Sequence, residues 1–208
     1  MGIPSGEGLK DRRKWGGGGD PSAFSLEQRK KLLLIARKAI EYYAEKGEEP
    51  GALKEVDIDE FDMPRGVFVT LKEAGELRGC IGFPLPIMPL GKAVVKAAIA
   101  AAFEDPRFSS VRKEEVKKLE LEVSVLTVPE LVKVSKPEEY LKKVKIGRDG
   151  LIIDYMGYSG LLLPQVPVEE KWGVEEYLNY LCMKAGLPQK AWMERPVVIK
   201  AFQAEIIH

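Results

Sequence analysis

LRGCIG, residues 77–82, sets an arginine and a cysteine two positions apart, with glycines at 79 and 82, in a run that otherwise reads as a β-strand. Side chains alternate across a strand, so Leu77, Gly79, Ile81 and Phe83 are expected on one face and Arg78, Cys80 and Gly82 on the other. The bulky apolar residues take the core side. Cys80 is then left on the less apolar face with Arg78 about 7 Å away along the strand, and a nearby guanidinium favours the thiolate form of a cysteine. Gly79 and Gly82 leave room for a ligand or another backbone to approach. Two readings stay open. One is a reactive thiol with Arg78 as anion anchor; the other is a small side chain buried in a sheet, the usual fate of a free cysteine.

A thiol enzyme also needs a group that handles protons. The single histidine is His208, which argues against a Cys–His dyad and leaves Glu104 or Asp105 as the candidate acid/base. In EDPRF (104–108) Pro106 keeps Asp105 out of the helical region, so Glu104, Asp105 and Arg107 are presented on a stiffened turn at a helix end. Such a turn either contacts a ligand or is braced by its own Asp and Arg. Gln165, between prolines in LLLPQVP (161–167), is a further candidate ligand contact, set against a plain surface loop. Cys182 shares an apolar helix face with Leu178 and Ala185 and is expected in the core. Two distant cysteines and one histidine build no Cys/His zinc site. GGGG (16–19) follows no strand and precedes no Gly-Lys-Ser/Thr, and GYSGL (157–161) lacks the second glycine of a serine-hydrolase elbow. The residues therefore point to no metal and identify no cofactor.

These groups need a frame, and its elements are legible. Ser25 and Gln28 have capping-box spacing at the start of a helix that carries Leu33, Ala36, Ile40 and Tyr43 and stops at Gly47. GVFVTLK (66–72) and LRGCIGF (77–83) alternate as two arms of a hairpin around EAGE. Prolines 84, 86 and 89 precede an alanine-rich helix over about 90–103. LELEVSVLT (119–127) is a half-buried strand with Leu119, Leu121, Val123 and Val125 inward. Ser135 and Glu138 predict a capped short helix over 135–144. LIIDY (151–155) is a strand, GYSG (157–160) separates it from LLLP, a helix covers about 169–185, and 197–207 is a last strand. This order predicts an α+β fold, with helices covering a mainly antiparallel sheet.

The 208 residues suit one domain with enough core to need no disulfide. Residues 1–21, rich in glycine and bearing Arg12, Arg13 and Lys14 beside Trp15, read as a flexible, solvated tail, leaving 22–208 as the domain. Lys plus Arg equals Asp plus Glu at 32 each, so no global field draws the chain to nucleic acid or an anionic membrane, and any such contact is local. No apolar run approaches the ~20 residues that span a bilayer. Two cysteines in unlike contexts suit reduced thiols, hence a cytoplasmic location. The abundance of Lys and Glu points toward a thermophile.

Taken in order, LRGCIG (77–82), DPRF (105–108), LEVSVL (121–126), the stretch 147–153, LLLPQV (161–166) and a helix from Trp172 bearing Tyr177, Leu178, Leu181 and Cys182 resemble the AMMECR-one family, named for the AMME syndrome chromosomal region. The resemblance covers about residues 25–205. It implies a two-lobed α+β domain related to folds that bind nucleotides or nucleic acids, with the hexapeptide lining an active cleft. It also implies an unsettled activity, since relatives are associated with radical-chemistry and dioxygenase-like partner proteins. The resulting expectation is an enzyme acting on a nucleotide or RNA base, with Cys80 as nucleophile or redox thiol. The alternative is a non-catalytic module holding a phosphate-bearing ligand or a protein partner in the same cleft. The chain departs from its relatives mainly in the tail and at 84–89.

Overall fold

Ser25 starts the first helix, α1 (Leu26–Lys46). Its hydroxyl accepts the Gln28 amide N–H and the Gln28 side chain accepts that of Ser25, the reciprocal cap expected from their spacing. The helix ends at Gly47, whose φ of 71° is left-handed. The computed structural model describes residues 24–194 and 196–208, so the expected tail at 1–21 lies outside the described residues.

β1 (Val67–Glu73) and β2 (Glu76–Phe83) form the expected hairpin, closed by Ala74 and Gly75, both at positive φ. The alanine-rich helix α2 (Leu90–Phe103) follows, then β3 (Glu120–Leu126), the short β4 (Glu130–Leu131) and α3 (Tyr140–Lys143). The chain continues through β5 (Gly150–Tyr155), β6 (Tyr158–Leu162), α4 (Val166–Glu169), α5 (Val174–Lys184) and α6 (Ala191–Glu194), and closes with β7 (Val198–Phe202) and β8 (Ala204–Ile207). Two four-stranded antiparallel sheets result, ordered β2-β1-β3-β8 and β4-β7-β5-β6. This is the expected α+β class.

Each sheet has its own core. Val67, Val69 and Leu71 of β1 are fully buried with Leu32, Ile35 and Ile40 of α1 and Ala93, Ala97 and Ala98 of α2, so both long helices cover one face of the first sheet. In the second, Leu151, Ile153 and Ile199 pack with Tyr177, Leu178, Leu181, Cys182 and Trp192. A third, small cluster joins the sheets: Leu126 with Ile152 and Phe202, and Phe68, Leu161 and Leu163 against them. The expected last strand spans this junction. It breaks at Gln203, whose carbonyl accepts the Thr127 N–H while its own N–H donates to the Thr127 hydroxyl, so β7 serves one sheet and β8 the other.

Three local expectations change. GYSG is not a separator: Met156 and Gly157 turn the chain at positive φ, and Tyr158, Ser159 and Gly160 already belong to β6. The helix expected over 169–185 is two pieces. Lys171, at φ 58°, breaks it, and α5 restarts where Glu176 accepts the Gly173 N–H. The expected Ser135–Glu138 cap is replaced by a bond from the Ser135 N–H to Glu139, and a 3₁₀ turn over Pro137–Glu139 precedes α3.

Candidate functional site

β2 is an edge strand of the first sheet, and an edge presents unpaired amides and carbonyls. At Cys80 both outward groups are taken by the EDPRF loop. The Cys80 N–H donates to Asp105 Oδ2 at 2.9 Å, and Arg107 Nη2 donates to the Cys80 carbonyl at 3.1 Å. Arg107 also donates from Nε to Asp105 Oδ1 at 3.0 Å, from Nη2 to Oδ2 at 2.7 Å and from its backbone N–H to Oδ1 at 3.1 Å. The loop is set by the end of α2, where the Glu104 N–H donates to Ala100 O and the Val111 N–H donates to Ala102 O. One residue of a missing fifth strand is thus imitated by an Asp–Arg pair.

Asp105 is 4% exposed. Arg107's hydrogen bonds hold its carboxyl well below the usual carboxylate range against the opposing effect of burial, and the Cys80 and Arg107 amides add to the lowering. Asp105 in turn raises the Arg107 pKa. With both oxygens occupied, Asp105 is a fixed anion, and this geometry does not suit the acid/base role expected of it. Glu104 caps α2 through its backbone, and its exposed side chain has no partner among the described residues.

Arg78 does not stand beside Cys80 as expected. Leu71 pairs with Gly79 and Lys72 with Leu77, so Arg78 is the extra residue of a β-bulge, a device that re-aims a side chain. Its Nη1 donates to the Ser109 carbonyl at 2.8 Å, and its Nη2 lies 3.5 Å from Glu115 Oε2. The same phase shift places Leu77 opposite Lys72, away from the core, at 43% exposure. The guanidinium at the cysteine is Arg107's.

Nor are the glycines openings. A Cβ at Gly79 would lie 2.1 Å from the Ala101 carbonyl oxygen, and one at Gly82 would lie 2.5 Å from Phe68 Cγ and 2.2 Å from Val67 O. Helix α2 and the Phe68 ring fill the room expected for a ligand. Gln165 is exposed just before α4, and its carbonyl accepts the amides of Val168 and Glu169.

Cys80 itself is half-buried, and its sulfur accepts a hydrogen bond from the Thr70 hydroxyl at 3.3 Å. Cys182 is fully buried, as expected, and burial pushes its thiol pKa up. Thr70 pairs with Cys80 and, across β1, with Glu122. Thr70 is not among the residues that spacing singles out; it reads as the solvated side of an alternating strand, and only strand order brings its hydroxyl to the thiol, while Lys72 and Glu122 on the same face pair with each other at 3.7 Å. His208 follows β8, three strands from β2, so topology also separates the imidazole from Cys80. Among the described residues no three His, Cys, Asp or Glu converge as a metal site. Two surface cavities, about 510 Å³ between the 51–59 segment and Lys92 and about 370 Å³ between the β5–β6 turn and Val198, contain none of the sequence-predicted residues.

The AMMECR1 family model matches residues 33–207. Protein MJ0810 of Methanocaldococcus jannaschii is 52% identical over 88% of this chain and 90% of its own, and protein PYRAB00100 of Pyrococcus abyssi is 50% identical over 84% and 87%. The crystal structure of the uncharacterized protein PH0010 from Pyrococcus horikoshii superposes with a TM-score of 0.73 at 49% identity, covering 86% of this chain and 90% of that one. No helix among the described residues is long and apolar enough to cross a membrane.

Proposed function

The chain belongs to the AMMECR1 family, and from the surroundings of its hexapeptide we propose that it is a thiol enzyme acting on a nucleotide or RNA base at Cys80. The observation that carries this reading is the contrast between the two cysteines. Cys182 is sealed in a core, whereas Cys80 is half-buried with its peptide groups immobilised by Asp105 and Arg107 and a hydroxyl bonded to its sulfur. The two main-chain bonds close the strand edge, and in doing so they hold the Cα and Cβ of residue 80 in one place. Such fixed placement is what a nucleophile uses. The substrate class comes from the family resemblance. On this chain, the 54%-exposed side chain of Arg107 is the group suited to an anionic substituent. The cytoplasm, where thiols stay reduced, is the setting this role requires.

A second reading, a non-catalytic binding module, is favoured by one observation: Asp105 is locked, and among the described residues no hydrogen bond ties Glu104 to Cys80, so the EDPRF loop holds no proton carrier against the thiol. Iodoacetamide labelling at pH 7, with and without AMP, GMP, CMP or UMP, separates the outcomes. For the enzyme, Cys80 labels at least ~10-fold faster than Cys182, one nucleotide slows it, and Cys80→Ser abolishes turnover of that nucleotide. Nucleotide protection without turnover, with binding that survives Cys80→Ser and fails in Arg107→Ala, selects the module. Equal, slow labelling of both cysteines ends the thiol reading.

A further inference from the structure

The chain passes between the two sheets twice, and both passages lie at one place. Residues up to Leu126 and from Ala204 onward build a first lobe around β2-β1-β3-β8, while β4 to β7, residues 130–202, form a second lobe as one uninterrupted stretch. β3 running into β4, and β7 into β8, make a two-stranded ribbon that carries the whole second lobe. Leu126 pairs with Ala204 on one side of the crossing and Glu130 with Ala201 on the other, so residues 127–129 face only 202 and 203. An extra residue on one strand interrupts the ladder and lets the ribbon bend. Thr127 and Gln203 tie the strands across this gap: the Thr127 N–H donates to the Gln203 carbonyl at 2.8 Å, and the Gln203 N–H donates to the Thr127 hydroxyl at 2.9 Å. Val128, 47% exposed, packs into neither core.

Little else joins the lobes. Bonds of Tyr155 aside, no hydrogen bond or ion pair among the described residues has one partner in each lobe. The two large cores are separate, and the one shared cluster is Leu126, Ile152 and Phe202. Leu126 and Phe202 immediately precede Thr127 and Gln203, so this buried contact sits at the crossing, where a rotation about the ribbon disturbs it least. At its margin Phe68 from the first lobe and Leu161 and Leu163 from the second are only partly buried. Lobes move relative to one another unless a large apolar interface locks them, and this interface is small.

We propose that the Thr127–Gln203 crossing is a hinge on which the second lobe swings as a body, covering and uncovering the face of the first sheet that carries neither α1 nor α2. A two-stranded ribbon bends most easily out of its own plane, so the swing moves Leu161 and Leu163 toward or away from Phe68. Phe68 lies on that face two residues from Thr70, which pairs with Cys80, so the same motion governs access to their row. The hinge needs only the crossing and the small cluster and does not depend on the thiol chemistry proposed above.

Residual dipolar couplings of the backbone amides in the full chain, fitted to each lobe separately, test it. Alignment tensors of different magnitude are expected for the two lobes. Thr127→Val keeps the shape of the side chain, deletes the hydroxyl that accepts the Gln203 N–H, and should widen the difference; couplings that still fit within each lobe verify that the variant is folded. In that variant iodoacetamide should alkylate Cys80 at least ~2-fold faster than in the wild type, with the Cys182 rate unchanged. One tensor that fits both lobes of the wild type overturns the hinge, and the wild-type couplings decide this alone should Thr127→Val fail to fold. A difference that Thr127→Val does not widen overturns the placement of the pivot at this pair. Differing tensors with an unchanged Cys80 rate overturn the covering of that face.

Discussion

Asp105→Ala should cost this protein about 2–4 kcal/mol and loosen the one strand edge on which the proposed chemistry depends. The carboxylate is 4% exposed and accepts four hydrogen bonds, one from the Cys80 amide and three from Arg107. Truncation strands the Cys80 N–H, and an unsatisfied buried donor costs about 1–3 kcal/mol. The Arg107 side chain, 54% exposed, recovers solvation, so its lost pairing adds only about 1 kcal/mol. Asp105→Asn keeps an oxygen for the amide but turns an NH₂ toward the guanidinium, so roughly half the loss is expected. The pH dependence follows from the depressed pKa. Below about pH 4 an unfolded aspartate takes up a proton, while the folded one stays ionised. Its contribution is therefore complete above that pH and is lost progressively as pH falls toward the folded value. Urea denaturation at pH 7 and pH 3 measures both: the gap between wild type and Asp105→Asn should narrow at pH 3. A gap under ~0.5 kcal/mol at pH 7, within the range of an ordinary surface change, or one that stays constant with pH, would refute the reasoning.

Gly79→Ala and Gly82→Ala should each cost at least ~1–3 kcal/mol by overpacking, since the new methyl meets the Ala101 carbonyl in one case and the Phe68 ring in the other, whereas Gly51→Ala, with nothing within 4 Å, should be near neutral by the same thermal melt. Arg78→Ala should lower stability by about 1 kcal/mol through the lost bond to the Ser109 carbonyl and leave Cys80 labelling within about twofold; a larger change in labelling would contradict the bulge-directed placement of that side chain.

What could be read from the chain follows the range of the interactions that set each element. The hairpin 66–83, α1 with its reciprocal cap and α2 rest on alternation, a two-residue turn, and Ser25 with Gln28, all within a few residues of one another. The break at Lys171 lies beside a cap made by Glu176 and a stack of Trp172 on Tyr180 at 3.9 Å, contacts that helical periodicity does not encode. The split at Gln203 exists because the strand leaves one sheet for another, which no local pattern records.

The site divides the same way. Cys80 stands out by type, and Asp105 and Arg107 by their proline-stiffened turn, yet the fact that the turn seals the strand carrying the cysteine joins residues 25 positions apart. The bulge that turns Arg78 away depends on how β1 pairs, so strict alternation puts the wrong guanidinium beside the sulfur. Glu122 is the extreme case. Its position on the outward side of β3 is plain from LELEVSVLT, and an outward glutamate on a strand is ordinarily just solvated. It comes into the row of Thr70 and Cys80 only because β1 lies between β2 and β3 in a register that lines Thr70 up with both Cys80 and Glu122. A one-residue slip of β3 would send Glu122 to the α2 side of the sheet and bring a core residue to the thiol. The buried positions Val123 and Val125 exclude that slip, so the packing of the core also determines which carboxylate shares the row of Thr70 and Cys80.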